Sequence, residues 1–343
     1  MKVLHITSNY PSQRHPAFGA FVRSQVESLQ RAGAEAGDGP AVACAVFDLD
    51  GRGNLFRYLW AWLRLLGHLL THRYDVLHAH HALSGVLLCL TGAPLFSRTV
   101  LSYQNSPSHE WGRVSFLLLY PFFRRIILKA PDKDYVRFEK VCVLPNGCDE
   151  QLFRPMDKAA CRRELGLLPE GRYLLFVDGN PRRAERGRSQ KREDRFDAVV
   201  ERLQRACPQG AGALLALKLH DIPQERMPLY YNAADAYLLT SDFEGSPNAV
   251  KECLLCNTQV VSTPVGDMPS LAPHCPELHV CGSFSVEELA SMAEKVLETA
   301  GSLAAKTSDL SQERMSSREA LLSLGYGLDR VAGRLLNLYR EIC

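Results

Sequence analysis

The sequence predicts an α/β fold built from two doubly wound domains, and three observations lead to this prediction. Short apolar runs of β-strand character alternate with longer stretches of helical spacing, a pattern typical of parallel sheets covered by helices. The pattern restarts near residue 150, after the segment NGCDEQLFRPMD. With 343 residues, the chain is long enough for two domains that each bury a core.

We therefore expect two Rossmann-like domains that face each other across a central cleft. The first covers residues 1–150 and the second covers residues 151–322. The amphipathic stretch 323–343 is predicted to form a closing helix that packs back toward the first domain. Ligands of doubly wound sheets bind outside the carboxyl ends of the strands, so functional residues are expected in the turns from strand to helix and in the cleft.

In the first domain, five runs are predicted to be strands and two stretches to be helices. The predicted strands are 2–8, 42–49, 74–81, 99–105 and 140–147, and the predicted helices are 19–33 and 54–71. Between residues 122 and 141 the chain looks too short for a further strand and helix. We therefore expect a shortened first domain in this region.

In the second domain, strands and helices are predicted to alternate. The predicted strands are 172–180, 214–220, 236–241 and 258–263, and the predicted helices are 196–206, 227–235 and 247–256. This alternation is typical of βαβ units in a parallel sheet.

The composition is that of an ordinary globular protein, with 46% apolar and 23% charged residues. A net charge of +2 is too small to indicate nucleic acid as a partner, so any anionic partner must be bound by a local cluster of cations. The eleven cysteines are an odd number without a disulfide-framework spacing, and the apolar run at the N-terminus is too short for a signal peptide. We therefore expect reduced thiols and a cytoplasmic protein.

Two apolar stretches, 55–70 and 114–123, fall short of the roughly 20 residues that a membrane-spanning helix needs. Arginines interrupt the first stretch and follow the second. Both stretches fit buried helices. They also fit helices that lie on a membrane surface with their arginines at the headgroups.

The segment SDFEGSPNAVKECLLC, from Ser241, carries two glutamates at the start of a predicted helix. Ser246 and Pro247 have the residue types of an N-cap and a first helical residue. The free backbone amides around Asn248 and Ala249, together with the helix dipole, then predict an anion site suited to a diphosphate. Glu244 lies in the turn ahead of this helix. Glu252 lies about a turn and a half into it.

These residues resemble those of a known enzyme family. EGSPNAVKECLLC followed by VVSTPVGDMPSL is similar to the E-x7-E signature and glycine turn of the retaining family-4 (group 1) glycosyltransferases, which have the GT-B fold. Further segments match in the same order along most of the chain. They are YDVLHAHHALSG, VLPNGCDEQLFRP, CRRELGL and YYNAADAYLLTSDFEG.

The resemblance implies retaining transfer of a sugar from a nucleotide-diphosphate sugar to an acceptor hydroxyl, with no metal and no other cofactor. It implies that Glu244 approaches the donor sugar, that Glu252 binds the ribose hydroxyls and that Gly245 to Ala249 hold the diphosphate. The first domain would bind a carbohydrate or lipid-linked acceptor. The implied setting is polysaccharide, lipopolysaccharide or glycolipid assembly in the cytoplasm, with peripheral contact at the inner face of the plasma membrane.

Cations must neutralise the leaving diphosphate in such a reaction. Residues 182–195 contain seven basic and three acidic residues, in the turn where the family carries an arginine and a lysine on the phosphates. The resemblance assigns these roles to Arg183 and to Lys191 or Arg186, while a solvated charged loop remains the alternative. Gly19 resembles the small-residue loop that lies close to donor phosphate and acceptor, although an ordinary loop glycine would look the same.

The sequence also departs from the family pattern. Where many members have Thr-x-His after a first-domain strand, this chain has a segment ending in Gln104, an amide that cannot titrate near neutral pH. His80, His81 and Asn105 are candidate contacts on the acceptor side. Together with the short region 122–141, this departure favours an alternative function, a catalytically weak protein that binds nucleotide sugars.

Two further signals are weak. VFDLDG resembles the nucleophile strand of haloacid-dehalogenase-type phosphatases, with Asp48 as the nucleophile, but Arg52 stands where those enzymes have threonine. This phosphatase is a remote alternative. Cys253 and Cys256 have the spacing of a zinc or redox pair, but they fall inside the predicted helix without a second pair nearby, which favours two buried small residues.

Overall fold

The computed structural model describes residues 1–12, 16–35, 42–50, 55–178, 189–206, 213–303 and 315–343. Within these ranges the chain forms two parallel sheets of six and five strands, which helices cover. The α/β class with two doubly wound sheets is therefore confirmed. The exact domain limits of 150 and 322 remain predictions.

The first sheet takes all its strands from the first half of the chain. The strands are β1 (Lys2–Thr7), β2 (Ala43–Asp48), β3 (Val76–His80), β4 (Arg98–Ser102), β5 (Arg125–Leu128) and β6 (Val141–Val143). The helices between them are α1 (Ala20–Glu35), α2 (Leu55–Thr71), α3 (Ala82–Leu90), α4 (Pro107–Glu110) and α5 (Gly112–Leu119). The strand order is β2-β1-β3-β4-β5-β6, and every pairing is parallel.

The second sheet follows the same design. Helix α6 (Lys158–Glu164) precedes it. Its strands are β7 (Arg172–Asp178), β8 (Leu214–His220), β9 (Ala236–Leu239), β10 (Gln259–Ser262) and β11 (Leu278–Val280), in the order β11-β10-β9-β7-β8. The remaining helices are α7 (Glu193–Ala206), α8 (Met227–Ala233), α9 (Asn248–Leu255), α10 (Met268–Leu271), α11 (Val286–Leu303), α12 (Ser317–Ser323) and α13 (Leu328–Ile342).

Strand β5 lies in the region that the sequence predicts to be too short for a strand. The chain enters it soon after a 3₁₀ turn at Tyr120–Phe122, and three of its four residues are buried. The link from β5 to β6 contains turns and no α-helix. The region thus lacks only an α-helix between β5 and β6, and both strands are present in the six-stranded sheet.

The two faces of the first sheet are covered by different parts of the chain. On one face Val3, Val76 and Val100 pack with residues of α1 and α13. On the other face Leu4 and Leu77 pack with residues of α2, α3 and α5. Alternate residues of each parallel strand thus enter two cores, which explains why these strands carry apolar residues on both faces.

The chain passes between the two sheets twice, and the two crossings lie side by side. The amide of Cys148 donates to the carbonyl of Tyr326 at 3.0 Å, and the amide of Leu328 donates to the carbonyl of Cys148 at 2.9 Å. The guanidinium of Arg318 donates to the carbonyls of Glu150 and Phe153 at 2.7 and 2.6 Å. These bonds tie the first crossing to α12 and to the start of α13.

None of the helices in the described ranges combines the length and the apolar character that a membrane span requires.

Candidate active site

The carboxyl ends of strands from both sheets meet at a cavity of about 240 Å³. From the first sheet, residues after β4 and β5 line it, including Asn105 and Lys129. From the second sheet, residues after β9 and β10 line it, including Glu244. The rings of His109 and Phe243, one from each side, stack with centroids 4.5 Å apart and an interplanar angle of 9°. The predicted cleft between the sheets is therefore present.

A second cavity of about 140 Å³ lies at the start of α9. It is lined by Glu252, Asn248 and Ala249, by the ends of β7 and β8, and by residues at the start of α1 such as Ala17. None of these residues lines the first cavity. The two glutamates of the sequence signature thus border two separate cavities.

Glu244 is held by two side chains. The ammonium of Lys191 and the hydroxyl of Ser241 each lie 2.7 Å from the same carboxylate oxygen, Oε1. The side chains of Lys191 and Glu244 are only 17% and 10% exposed, so this ion pair is partly shielded from water. The carbonyl of Lys191 also accepts a hydrogen bond from Thr240 at 2.8 Å, which fixes the lysine backbone against the end of β9.

The other described basic residues of this segment have structural partners. Arg192 and Arg195 both contact Oδ1 of Asp242, at 2.9 and 2.8 Å, and Arg192 also pairs with Asp194. Arg195 in addition donates to the carbonyl of Thr240. The candidate phosphate ligand Arg183 and its alternative Arg186 lie outside the described residues.

Glu252 accepts a hydrogen bond from the hydroxyl of Tyr231 at 2.8 Å. Burial raises the pKa of Glu252, because desolvation disfavours the carboxylate, while the bond from Tyr231 opposes this change. Burial also raises the pKa of Tyr231, which therefore acts as a hydrogen-bond donor near neutral pH. The carboxylate of Glu252 is fixed in the wall of the smaller cavity.

The predicted capping of α9 by Ser246 is wrong. The hydroxyl of Ser246 donates to Asp267 Oδ2 at 2.5 Å, and the N-cap is Pro247, which has no side-chain cap. Asp267 belongs to the next strand-to-helix turn, after β10, and the sequence gives no sign that it lies beside Ser246. Within the described part of the chain, Oδ1 of Asn248 is buried without a hydrogen-bond partner at the start of this helix.

Two glycines let backbone segments approach each other at the cleft. A side chain at Gly245 would collide with the carbonyl oxygen of Gln104, so the two sheets are in close contact here. Gly19 has a φ of 74°, and a side chain there would collide with the carbonyl oxygen of Asn9. Both positions require glycine for packing, independently of any ligand.

Glu110 organises the first-domain side of the cleft, and the sequence gives no specific signal for it. One carboxylate oxygen accepts the amides of Gln104 and Asn105 at 2.5 and 3.0 Å, and the other accepts the amide of Ala82 at 2.8 Å. His81 lies 3.6 Å from the same carboxylate. A single acidic side chain thus joins the ends of β3 and β4.

Gln104 and His81 differ in how completely they are bonded. Oε1 of Gln104 accepts a hydrogen bond from Asn146 at 3.4 Å, and Nε2 is buried without a partner among the described residues. The Nε2 atom of His81 lies 2.8 Å from the side-chain amide of Asn9. His81 has a φ of 72° and is partly exposed. Both residues remain candidates for the acceptor side.

His80 does not face the cleft, so the prediction that it contacts the acceptor is wrong. It is fully buried and its Nε2 lies 3.1 Å from Nδ1 of His5. His78 and His80 lie two positions apart in β3 and share one face of the strand, whereas His81 follows the strand with a φ of 72°. The period of two within β3 is the signal that could have separated His80 from His81.

His5, His78 and His80 bring three imidazoles close enough to raise the question of a metal site. The rings of His78 and His80 stack with centroids 4.2 Å apart and an interplanar angle of 23°. Both nitrogens of His78 are already bonded, to Tyr339 and Ser102. Burial lowers the pKa of all three residues. The cluster consists of three buried rings in which His78 is fully bonded, while Nε2 of His5 and Nδ1 of His80 have no hydrogen-bond partner among the described residues.

Similar proteins are found by sequence and by structure. No protein-family profile matches the chain. The D-inositol 3-phosphate glycosyltransferase of Thermobispora bispora is 26% identical over 340 residues, which covers 85% of this chain and 76% of that protein.

Among solved structures, sucrose-phosphate synthase from Thermosynechococcus elongatus superposes with a TM-score of 0.72 at 17% identity, covering 100% of this chain and 99% of the other. HepE of Anabaena, in complex with UDP-glucose, gives a TM-score of 0.68 at 15% identity, covering 99% of this chain and 100% of the other. The chain therefore has the GT-B fold, and the resemblance to GT-B glycosyltransferases seen in its motifs is confirmed.

Proposed function

We propose that the protein is a retaining glycosyltransferase that moves a sugar from a nucleotide-diphosphate sugar to an acceptor hydroxyl. One observation carries the proposal. Glu244 and Glu252, eight residues apart, border two separate cavities, and Lys191 forms an ion pair with Glu244. In our proposal, one cavity binds the nucleotide, the other binds the acceptor, and Lys191 supplies a cation next to Glu244. The relative named as a glycosyltransferase supports the same reading.

In this proposal the nucleotide occupies the smaller cavity, where Glu252 accepts hydrogen bonds from the ribose hydroxyls. Its diphosphate lies at the start of α9, against the backbone of Gly245, Ser246 and Pro247 and the amides of Asn248 and Ala249. The loop at Gly19 covers it from the first domain. A helix start of this kind favours anions because its free amides and its dipole act together.

Lys191 and Arg183 supply the positive charge that the departing diphosphate needs, and no metal is required. The ion pair between Lys191 and Glu244 supports this role, because a cation that is already held in place stabilises growing negative charge without reorganisation. In this proposal Glu244, which lines the larger cavity, contacts the donor sugar. Gln104 and Asn105 supply polar groups on the acceptor side.

The donor is best sought among UDP-sugars first, because HepE was solved with UDP-glucose. Isothermal titration against UDP-, GDP- and ADP-sugars identifies the base, and hydrolysis and transfer assays then follow release of the nucleotide. Proton NMR of the first product gives its anomeric configuration. Inversion of the anomeric centre would refute the retaining mechanism, and lack of binding by every nucleotide sugar would refute the function.

The second candidate function is a nucleotide-sugar-binding protein with little catalytic activity. The observation that favours it is Gln104, whose Nε2 has no partner within the described ranges and which stands where many relatives of the resembled family have histidine. Tight nucleotide binding without turnover on any acceptor would support this candidate. The remote phosphatase alternative fails if Asp48→Asn leaves all activity intact.

We place the protein in the cytoplasm at the inner face of the membrane, in polysaccharide, lipopolysaccharide or glycolipid assembly. The ten described cysteines have free thiols, which suits a reducing compartment. The outer surface of α2, α3 and α5 supports contact with the membrane. Thirteen of the nineteen large apolar side chains that are exposed in the described residues lie on or next to these helices. They are Phe56, Leu59, Trp60, Leu63, Leu70, Leu90, Leu95, Phe96, Trp111, Val114, Leu117, Leu118 and Phe122.

The charge around this surface fits a bilayer with anionic headgroups. Between residues 55 and 125 the sequence has seven arginines and two acidic residues. Of the two, Glu110 is buried by its bonds to backbone amides, with an 8% exposed side chain. Exposed aromatic and aliphatic residues flanked by arginines are typical of a surface that enters the headgroup region.

Co-sedimentation with vesicles tests this contact. We expect binding to vesicles that contain phosphatidylglycerol, weaker binding to pure phosphatidylcholine, and loss of binding in the double variant Phe56→Ser, Trp60→Ser. The matched control is Leu168→Ser, because Leu168 is 65% exposed but lies between α6 and β7, beside the second sheet. Equal sedimentation of the double variant and the control would refute the proposal. So would a wild-type dimer in light scattering that the double variant does not form, because this surface would then be a dimer interface.

A further inference from the structure

His81 has a backbone conformation in which glycine is the usual residue. It directly follows β3 and is the N-cap of α3, with φ 72° and ψ 153°. A residue with a Cβ atom is strained in this region of backbone space, so a histidine here costs free energy that a glycine would not. Strained residues of this kind cluster at functional sites, and the contacts of the imidazole therefore indicate what His81 does.

The surrounding backbone enforces this conformation. The amide of His81 donates to the carbonyl of Ser102 at 2.8 Å, and its carbonyl accepts the amide of Gly85 at 3.2 Å. The amide of Ala82 donates to the carboxylate of Glu110 at 2.8 Å. None of these three bonds uses the imidazole, so a glycine at position 81 could make all of them. The local fold thus does not require a histidine.

The imidazole connects two polar side chains. Its Nε2 atom lies 2.8 Å from the amide nitrogen of Asn9, and its Nδ1 atom lies 3.6 Å from Oε1 of Glu110. An amide nitrogen can donate and cannot accept, so Nε2 accepts this bond and the proton of the neutral ring is on Nδ1, facing the carboxylate. The side chains of His81 and Glu110 are 21% and 8% exposed. His81 therefore links Glu110 to the turn after β1.

Asn9 in turn supports the loop that closes the smaller cavity. Gly19 packs so tightly on Asn9 that a side chain at Gly19 would collide with the carbonyl oxygen of Asn9. Ala17 and Ala20, on either side of Gly19, line the smaller cavity. The amide of Ala17 also donates to Asp221, after β8 of the second sheet, at 3.2 Å. The loop is thus held between Asn9 and the second sheet.

We propose that His81 is a positioning residue for the nucleotide, which holds Asn9 and through it fixes the loop at Gly19 against the smaller cavity. The proposal rests on the proposed glycosyltransferase function and assigns His81 to the donor side. Direct contact with the acceptor is the alternative that the test must separate. A loop that is ordered before the nucleotide arrives loses less conformational freedom on binding, so His81 strengthens binding without touching the nucleotide.

Titration of nucleotide into single and double variants tests the link. We would titrate UDP into the full chain by calorimetry, and GDP and ADP where UDP does not bind. His81→Ala and Asn9→Ala should each bind roughly fivefold more weakly, the equivalent of one net hydrogen bond. The double variant should bind no more weakly than either single variant, because both changes remove the same link. His274→Ala, at an exposed histidine after α10, is the matched control and should bind like wild type.

A glycine at position 81 separates the strain from the function. His81→Gly should bind nucleotide as weakly as His81→Ala, because both variants lack the imidazole. It should melt at a temperature roughly 2–4 °C above that of His81→Ala, because glycine relieves the strain that alanine keeps. A melting temperature equal to or below that of His81→Ala would remove the strain from which the proposal starts, and wild-type binding by His81→Gly would overturn it.

The position of the effect decides between donor and acceptor. Wild-type nucleotide binding by His81→Ala, with a raised KM for the acceptor, would assign His81 to the acceptor and overturn the proposal. Independent losses that multiply in the double variant would overturn it as well. Failure of wild type to bind any nucleotide would count against the proposed function instead. The link itself is then tested by ¹⁵N NMR, where Asn9→Ala should shift the imidazole signal that is absent from His81→Ala, and an unshifted signal would refute the link.

Discussion

The two walls of the cleft treat charge differently. On the second-domain wall, Glu244 and Asp242 each have a cation in contact. On the first-domain wall, Glu110 bonds to backbone amides, Gln104 is neutral, and Lys129 is almost completely buried. The second-domain wall, called the complete wall below, neutralises its carboxylates with cations of the protein, whereas the first-domain wall holds the buried carboxylate of Glu110 with backbone amides.

The largest effect is expected on the complete wall, from Lys191→Ala. Loss of a fixed cation that stabilises the departing diphosphate should lower kcat by roughly 10²–10³, with a smaller effect on donor binding. Steady-state transfer kinetics and donor titration measure the two effects separately. The surface lysine Lys158, which pairs with Asp235, provides the control Lys158→Ala. A loss of binding equal to the loss in kcat would mean that Lys191 acts in the ground state as well.

The second largest effect is expected on the opposite wall, from Glu110→Gln. The carboxylate bonds three backbone amides, and an amide side chain has only one acceptor oxygen for them. We expect the free energy of unfolding to fall by about 1–3 kcal/mol. Urea unfolding followed by circular dichroism measures it. An unchanged midpoint would show that Glu110 does not organise this wall.

A third prediction concerns Glu252, in the smaller cavity. Glu252→Gln should weaken binding of nucleotide and nucleotide sugar alike by about 1–3 kcal/mol, because a charge-assisted hydrogen bond is lost. Burial raises the pKa of Glu252, so wild-type binding should fall with decreasing pH before an ordinary glutamate would titrate, and the variant should lack this step. Unchanged binding with lost turnover would instead assign Glu252 a chemical role.

The smallest effect is expected for the bond between Ser246 and Asp267, which connects two turns of the complete wall. In a double-mutant cycle with Ser246→Ala and Asp267→Asn, we expect a coupling of about 1 kcal/mol in the free energy of unfolding. A helix N-cap at Ser246 would give no coupling with Asp267. The cycle therefore tests the corrected geometry against the one predicted from sequence.

The elements that sequence reasoning placed correctly are those with a local signal. Strands β1 and β8, for example, are long enough to show their apolar pattern, and Glu244 and Glu252 belong to one continuous motif. Strands β5 and β11 were missed: they have four and three residues, β5 stands between two arginines and a lysine, and β11 has a histidine at its centre, so neither forms an obvious apolar run. Short strands gain their stability from neighbours in the sheet, which are distant in sequence.

The same distinction explains the site. The partners Lys191 and Glu244 were each proposed for the donor, but their contact spans 53 positions and no local pattern predicts it. The bond of Ser246 to Asp267 spans 21 positions, and it replaced a cap that the local sequence favoured. Lys129 follows an apolar strand as many surface lysines do, and only the packing of the two sheets makes it a buried charge.

Helix α13 has a consequence for how the protein is made. It follows the whole second sheet in the sequence, yet Val331, Leu335 and Tyr339 complete the core on one face of the first sheet. A ribosome therefore releases the whole second sheet before the first domain can close. Until then, that face of the nascent first sheet lacks its cover, and the second sheet can finish folding earlier although it is synthesised later.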